Sequence, residues 1–124
     1  MAGQLTIDTL KASSGVLATQ NGMTGICKAW VQFNGTTING SFNVSSITVN
    51  SGGDYTVSYT TAMPNANYAV TGTCGWDGTN YTFLGLRNTG AAVFPPTTTY
   101  VRVFTSTTGS TLASNLVSVV INGA

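Results

Sequence analysis

ICKAWVQFNG, residues 26–35, alternates strictly. Cys27, Ala29, Val31 and Phe33 share one parity, and Ile26, Lys28, Trp30 and Gln32 share the other. A period of two is the signature of a strand with one buried face. It also raises a question. Lys28 and Trp30 fall on the polar side of that strand, where they could line a binding lip or a subunit contact, the Lys stem covering apolar area while its ammonium stays wet. The Asn34-Gly35 pair that ends the run is a turn signal.

The same period continues outward. Phe42 and Val44 share a parity that Ile47 and Val49 do not. A bulge at Ser45-Ser46 is therefore expected, because a strand cannot change faces otherwise. NSGGD (50–54) reads as a hairpin loop, with Gly52 and Gly53 able to take positive φ. Tyr55, Val57 and Tyr59 alternate after it. Pro64 breaks the pattern, and then Tyr68, Val70, Gly72, Cys74 and Trp76 line one face. Past the DGTN turn, Tyr81 and Phe83 oppose Leu84 and Leu86. NTGAAVFPPTTT reads as a loop, since Pro95-Pro96 excludes a central strand. Tyr100–Thr105 is a strand with Val101 and Val103 on one side. STTGSTLAS is irregular, and Val117, Val119 and Ile121 alternate to the end. No segment holds a helical period. About seven strands between turn signals predict an all-β fold, an antiparallel β-sandwich.

Residues 1–25 differ. QLTIDTL has the material for one short strand, and KASSGVLATQNGMTG is small, polar and broken by glycine. The chain thus divides into an extended N-terminal arm over 1–25, ordered by packing on a neighbour, and a β-sandwich domain over 26–124.

The totals limit the chemistry. The 124 residues carry four basic and three acidic side chains, a net charge of +1, and no histidine. Nucleic-acid binding needs clustered Lys and Arg, which are absent. So little charge gives weak protection against self-association and fits a chain that sits in an assembly. No apolar run approaches the ~18 residues of a membrane span. The start, MAGQLTIDTLKASSG, lacks the basic and apolar regions of a signal peptide, so synthesis in a cytosol is expected, and Cys27 and Cys74, which could face each other across a sandwich, read more simply as free, buried thiols. Two thiols without histidine make a poor zinc site, no phosphate-binding loop is present, and no cofactor is expected.

Catalysis is not expected either. Without histidine the commonest general base is gone. The acids are Asp8, Asp54 and Asp77. Asp54 follows a Gly-Gly turn and Asp77 lies in WDGTN, so each has a ready role bonding its own turn backbone. One constellation has the make-up of a ligand site: CGWDGTNYTF sets Trp76, Asp77, Asn80 and Tyr81 around one turn. A flat ring beside amide and carboxylate groups suits a sugar. The simpler reading packs Trp76 and Tyr81 in the core or in a subunit contact, with their polar ends at the rim.

Several blocks in register resemble a known family. Lys28–Val31 with Phe33–Gly35, then Phe42–Ile47, Gly53–Val57 and Ala62–Tyr68, are similar to the C-terminal β domain of bacteriophage tail-fibre and related virion proteins. The resemblance runs from Lys28 to Tyr68 and fades beyond Val70, so no receptor-contacting residue is carried over. The lead-in GQLTIDTLKASSG is similar to the start of short phage structural proteins, whose arm joins the virion or a fibre shaft. The resemblance implies a homotrimer on a fibre, made in the host cytoplasm and recognising a bacterial surface receptor, often a glycan. In the blocks themselves, Phe33, Phe42, Val44, Ile47 and Val57 are expected to fill a core, and Pro64 with Asn65 to make a turn. Three functions follow: a virion adhesin, a purely structural virion component such as a head fibre, decoration or tail-assembly protein, or a depolymerising tailspike. The last would need a larger body and a carboxylate pair.

Overall fold

Ten strands follow one another along the described residues of a computed structural model, which are Gly3, 26–75, 79–89, 92–107 and 111–123. They are β1 (Cys27–Asn34), β2 (Thr37–Phe42), β3 (Val44–Ser51), β4 (Asp54–Tyr59), β5 (Tyr68–Cys74), β6 (Phe83–Leu86), β7 (Asn88–Thr89), β8 (Ala92–Val93), β9 (Tyr100–Ser106) and β10 (Val117–Gly123). Eight of them form two antiparallel four-stranded sheets, ordered β2-β1-β10-β5 and β3-β4-β9-β6, and β7 pairs with β8. The expected all-β sandwich is therefore present, with more strands than the seven anticipated. The segment expected to be one loop after Arg87 contains the small β7–β8 hairpin. The arm over 1–25 lies outside the described residues apart from Gly3.

Alternation explains the core. Ala29, Val31 and Phe33 of β1 stand opposite Ile121, Val119 and Val117 of β10, and all six are buried. Tyr55, Val57 and Tyr59 of β4, with Val101 and Val103 of β9, bury the facing side of the second sheet. The sheets meet through ring contacts. Phe33 packs edge-on against Tyr55 with centroids 5.1 Å apart, and Tyr59 against Tyr68 at 6.0 Å. Each such buried side chain contributes about 1.5–3 kcal/mol. Gly72 is required chiefly because a Cβ there would collide with the backbone carbonyl of Ser118 on β10, and it would also press on Leu84 Cδ2 of the facing sheet.

The chain passes from the first sheet to the second at Asn43, between β2 and β3. Asn43 takes φ 54°, a left-handed value that Asn tolerates better than most residues. Its side chain holds the corner. Nδ2 donates to the carbonyls of Lys28 and Thr61, each at 3.1 Å, and Oδ1 accepts from Thr61 N–H at 2.7 Å. The expected bulge follows directly, as a register shift between Val44 and Ser46. The β1–β2 turn has Gly35 at φ 58° and the β3–β4 turn has Gly53 at φ 79°.

Two expectations about the sequence are corrected. Lys28 is skipped in the β1–β10 register, where Cys27 faces Asn122 and Ala29 faces Ile121. This bulge turns the side chain off the outer face. Lys28 is 1% exposed and offers no wet ammonium at a rim. Phe42 is not core. It lies beside Trp30 on the outer face of the first sheet, with Val120 on Trp30's other flank. Trp30 and Phe42 are both exposed to solvent there. Val44, one residue past the corner, is buried in the other sheet, so shared parity with Phe42 did not mean a shared face.

Cys27 and Cys74 are free thiols, half-buried rather than buried as expected. They do not face each other across the sandwich. Both lie in the first sheet, against Asn122 and Val117 of β10. Five residues of strand separate those rungs, roughly 17 Å.

Candidate functional site

The turn singled out in the sequence is the connection from β5 to β6, which carries the chain from one sheet to the other. Its base is tied down. Gly75 N–H donates to Leu116 O at 2.8 Å. Gly75 O accepts from Ser114 Oγ at 2.8 Å and from Thr82 Oγ1 at 2.5 Å. Ser114 is buried, so this knot is shielded from competing water. Thr82 Oγ1 also lies 3.2 Å from Cys74 Sγ, which fixes the two ends of the connection beside each other. Of the four candidate residues, Asn80 and Tyr81 are exposed, Tyr81 at 90% of its surface. Trp76 and Asp77 lie outside the described residues. Tyr81 is thus neither core nor a partly buried rim residue within this chain. A phenol ring held out on a pinned loop can stack on an apolar face and donate a hydrogen bond from its far end.

A second constellation, on the outer face of the second sheet, escaped the sequence reading. Asp54 opens β4 with outward parity, yet is 1% exposed, because neighbours cover it. Arg102, outward on β9, grips it as a fork: Nε to Oδ1 at 2.8 Å and Nη2 to Oδ2 at 2.9 Å. Asn50 Nδ2 donates to Oδ1 at 3.2 Å. Arg87 Nε lies 3.0 Å from Oδ2. Asp54 is therefore not a turn residue bonding its own backbone, as its place after Gly52-Gly53 implied. Burial works to raise its pKa, but the hydrogen bonds from Arg102 and Asn50 and the charges of Arg102 and Arg87 outweigh it. The carboxyl is held below its usual value.

Aromatic rings set both guanidiniums in place. Arg102 lies over the Phe94 ring, 3.9 Å from its centroid, and Arg87 over Phe104 at 5.9 Å. Phe104 in turn covers Gly85, where a Cβ would come within 2.7 Å of the ring. Arg87 N–H donates to Arg102 O at 3.0 Å, extending the β6–β9 ladder so that both arginines leave the same patch. The available signal was parity: the chain's two arginines and Asp54 all sit at outward positions or strand ends, and strand pairing gathers them.

Among the described residues no three His, Cys, Asp or Glu side chains gather where they could hold a metal ion. No helix there is long and apolar enough to cross a membrane. Comparison with protein-family models, with curated proteins and with solved structures returned no match.

Proposed function

We propose that this chain is a non-catalytic virion fibre protein of a bacteriophage, a fibre-tip adhesin that recognises a bacterial surface receptor, with a glycan as the ligand class. It assembles as a homotrimer in the host cytoplasm, and residues 1–25 attach it to other virion proteins. The observation that carries this reading is the β5–β6 connection, whose base is pinned by Gly75, Thr82 and Ser114 while Tyr81 stands 90% exposed. A large ring held 90% exposed is placed to meet a ligand, and a rigid base lowers the entropy lost on binding. The resemblance of the Lys28–Tyr68 blocks to phage fibre domains supports the same reading. The blocks fall on β1, on the Asn43 corner and on the β3–β4 hairpin, which are scaffold, leaving the loops to vary.

Binding of the purified full chain to host cells and to a glycan array tests this. Tyr81→Ala and Asn80→Ala should abolish binding while thermal stability changes by no more than about 0.5 kcal/mol, as exposed sites do. Full retention of binding in both variants would sink the adhesin role of this loop.

The alternative is a purely structural virion component. The row Phe42, Trp30 and Val120 across the outer face of the first sheet favours it, because the exposed Trp30 and Phe42 beside the half-buried Val120 form a run of apolar side chains of the kind that marks packing surfaces. On that reading the protein binds other virion proteins and no cell surface.

A further inference from the structure

The pairing of Asp54 with two arginines leaves a charge unaccounted for. Both carboxylate oxygens are already filled by Arg102 in fork geometry, and Asn50 adds a third donor. A latch between β4 and β9 needs nothing more. Arg87 nevertheless brings a second guanidinium 3.0 Å from the same carboxylate, so the cluster carries a net +1. Its Nε is buried and makes no well-aligned hydrogen bond, yet 26% of the side chain as a whole stays exposed. Two guanidiniums share one carboxylate, so the cluster keeps an excess positive charge that a further anion would complement. Both are also immobilised. Phe94 lies against Arg102, and Phe104, seated on Gly85, lies against Arg87. A planar fork held on an aromatic ring is already arranged to receive two parallel oxygens.

We propose that Arg87, with Arg102 beside it, forms an oxyanion-binding site on the outer face of the β3-β4-β9-β6 sheet. It takes a carboxylate or phosphate group carried on a sugar. The Arg87 fork receives the oxyanion, Arg102 adds its remaining charge, and the half-buried Phe94 and Phe104, each under a guanidinium, leave only the uncovered parts of their rings to meet the sugar's C–H groups. Asp54 is a positioning residue. It holds both arginines at the surface and does not touch the ligand. This site is separate from the β5–β6 loop and does not depend on the proposed function. A protein that binds no cell at all can still bind a charged sugar here.

The test is a titration of the full chain followed by amide and arginine Nε–Hε signals in two-dimensional NMR. The probes are glucuronate, glucose 6-phosphate and, as the neutral control, glucose. Saturable shifts at Arg87, Phe94, Arg102 and Phe104 are expected with one or both charged sugars and not with glucose, and the tighter of the two identifies the preferred oxyanion. High salt should weaken the binding. Arg87→Gln should weaken it about tenfold or more, the loss of a charge-assisted fork. Arg87→Lys, which keeps the charge without the fork, should fall between. Equal shifts with glucose, shifts centred elsewhere, or undiminished affinity in Arg87→Gln would overturn the proposal. Should Arg87→Gln fail to fold, the Arg87→Lys variant and the salt dependence of the unaltered protein decide alone.

Discussion

Replacing Asp54 with Asn tests the electrostatics of the second sheet in one step. The change keeps shape and removes charge. In the native fold Asp54 is 1% exposed and accepts from Arg102 at 2.8 and 2.9 Å and from Asn50 at 3.2 Å, with Arg87 at 3.0 Å. An amide keeps one acceptor and turns an N–H₂ towards an arginine donor, so at least one fork bond is lost. A hydrogen bond to a charged group contributes about 1.5–3 kcal/mol, and leaving a buried pair broken costs about 3–5 kcal/mol. Both arginines keep some access to water, at 20% and 26% exposure, which lowers the second figure. A loss of about 2–4 kcal/mol is expected, or roughly 10 °C in Tm for a chain of this size. Denaturant unfolding at pH 7, followed by tryptophan fluorescence, measures it. The pH dependence provides the internal check. The folded carboxyl titrates below its ordinary value of 3.8, so its stabilisation is complete above that value and is lost as pH falls through the folded pKa. The gap between the two proteins should therefore be constant from pH 7 to about pH 5 and close in stronger acid. A difference under about 1 kcal/mol at pH 7, or a gap that does not narrow in acid, would refute the reasoning.

Further outcomes follow from single positions. Gly53→Ala should cost about 2–4 kcal/mol, because φ is 79° and the new Cβ would meet Leu112 O at 2.6 Å, whereas Gly52→Ala meets nothing within 4 Å and should be close to neutral; paired denaturant melts compare them. Asn43→Ala should cost about 2–4 kcal/mol, and Asn43→Gly less, because glycine keeps the left-handed corner and loses only the side-chain hydrogen bonds. Burial and the adjacent Tyr68 hold the Tyr59 hydroxyl well above its ordinary pKa of 10.0, so stability is full below that pH and falls as pH rises beyond it; Tyr59→Phe should delay unfolding in an alkaline titration followed by circular dichroism. Cys27 and Cys74 sit roughly 17 Å apart, beyond the reach of a disulfide, so a reducing agent should leave both mass and Tm unchanged.

How far the sequence carried varies from residue to residue. Ala29, Val31 and Phe33 were legible as core, as were Val57, Val101, Val103, Val117, Val119 and Ile121, because strict alternation leaves one face apolar. Lys28 belongs to the same run and was misplaced, since a bulge between Cys27 and Ala29 takes this one residue out of the alternation and leaves no mark in composition. Phe42 was misplaced for another reason. Hydrophobicity says that a ring prefers to leave water, not which of two sheet faces will receive it. The β5–β6 turn was legible from DGTN and its aromatics, but its anchoring by Ser114 joins residues 39 positions apart in sequence.

By itself, the sequence determined the period-two strands, the glycine turns at Gly35 and Gly53 and the all-β class. These arise from interactions between near neighbours, and alternation and turn chemistry are local. Tertiary structure decided which strands share a sheet, that Asn43 is the corner between sheets, and that Asp54 meets Arg102 across 48 residues of chain. Those contacts depend on strand order and register, set by the packing of the whole core and encoded in no short segment.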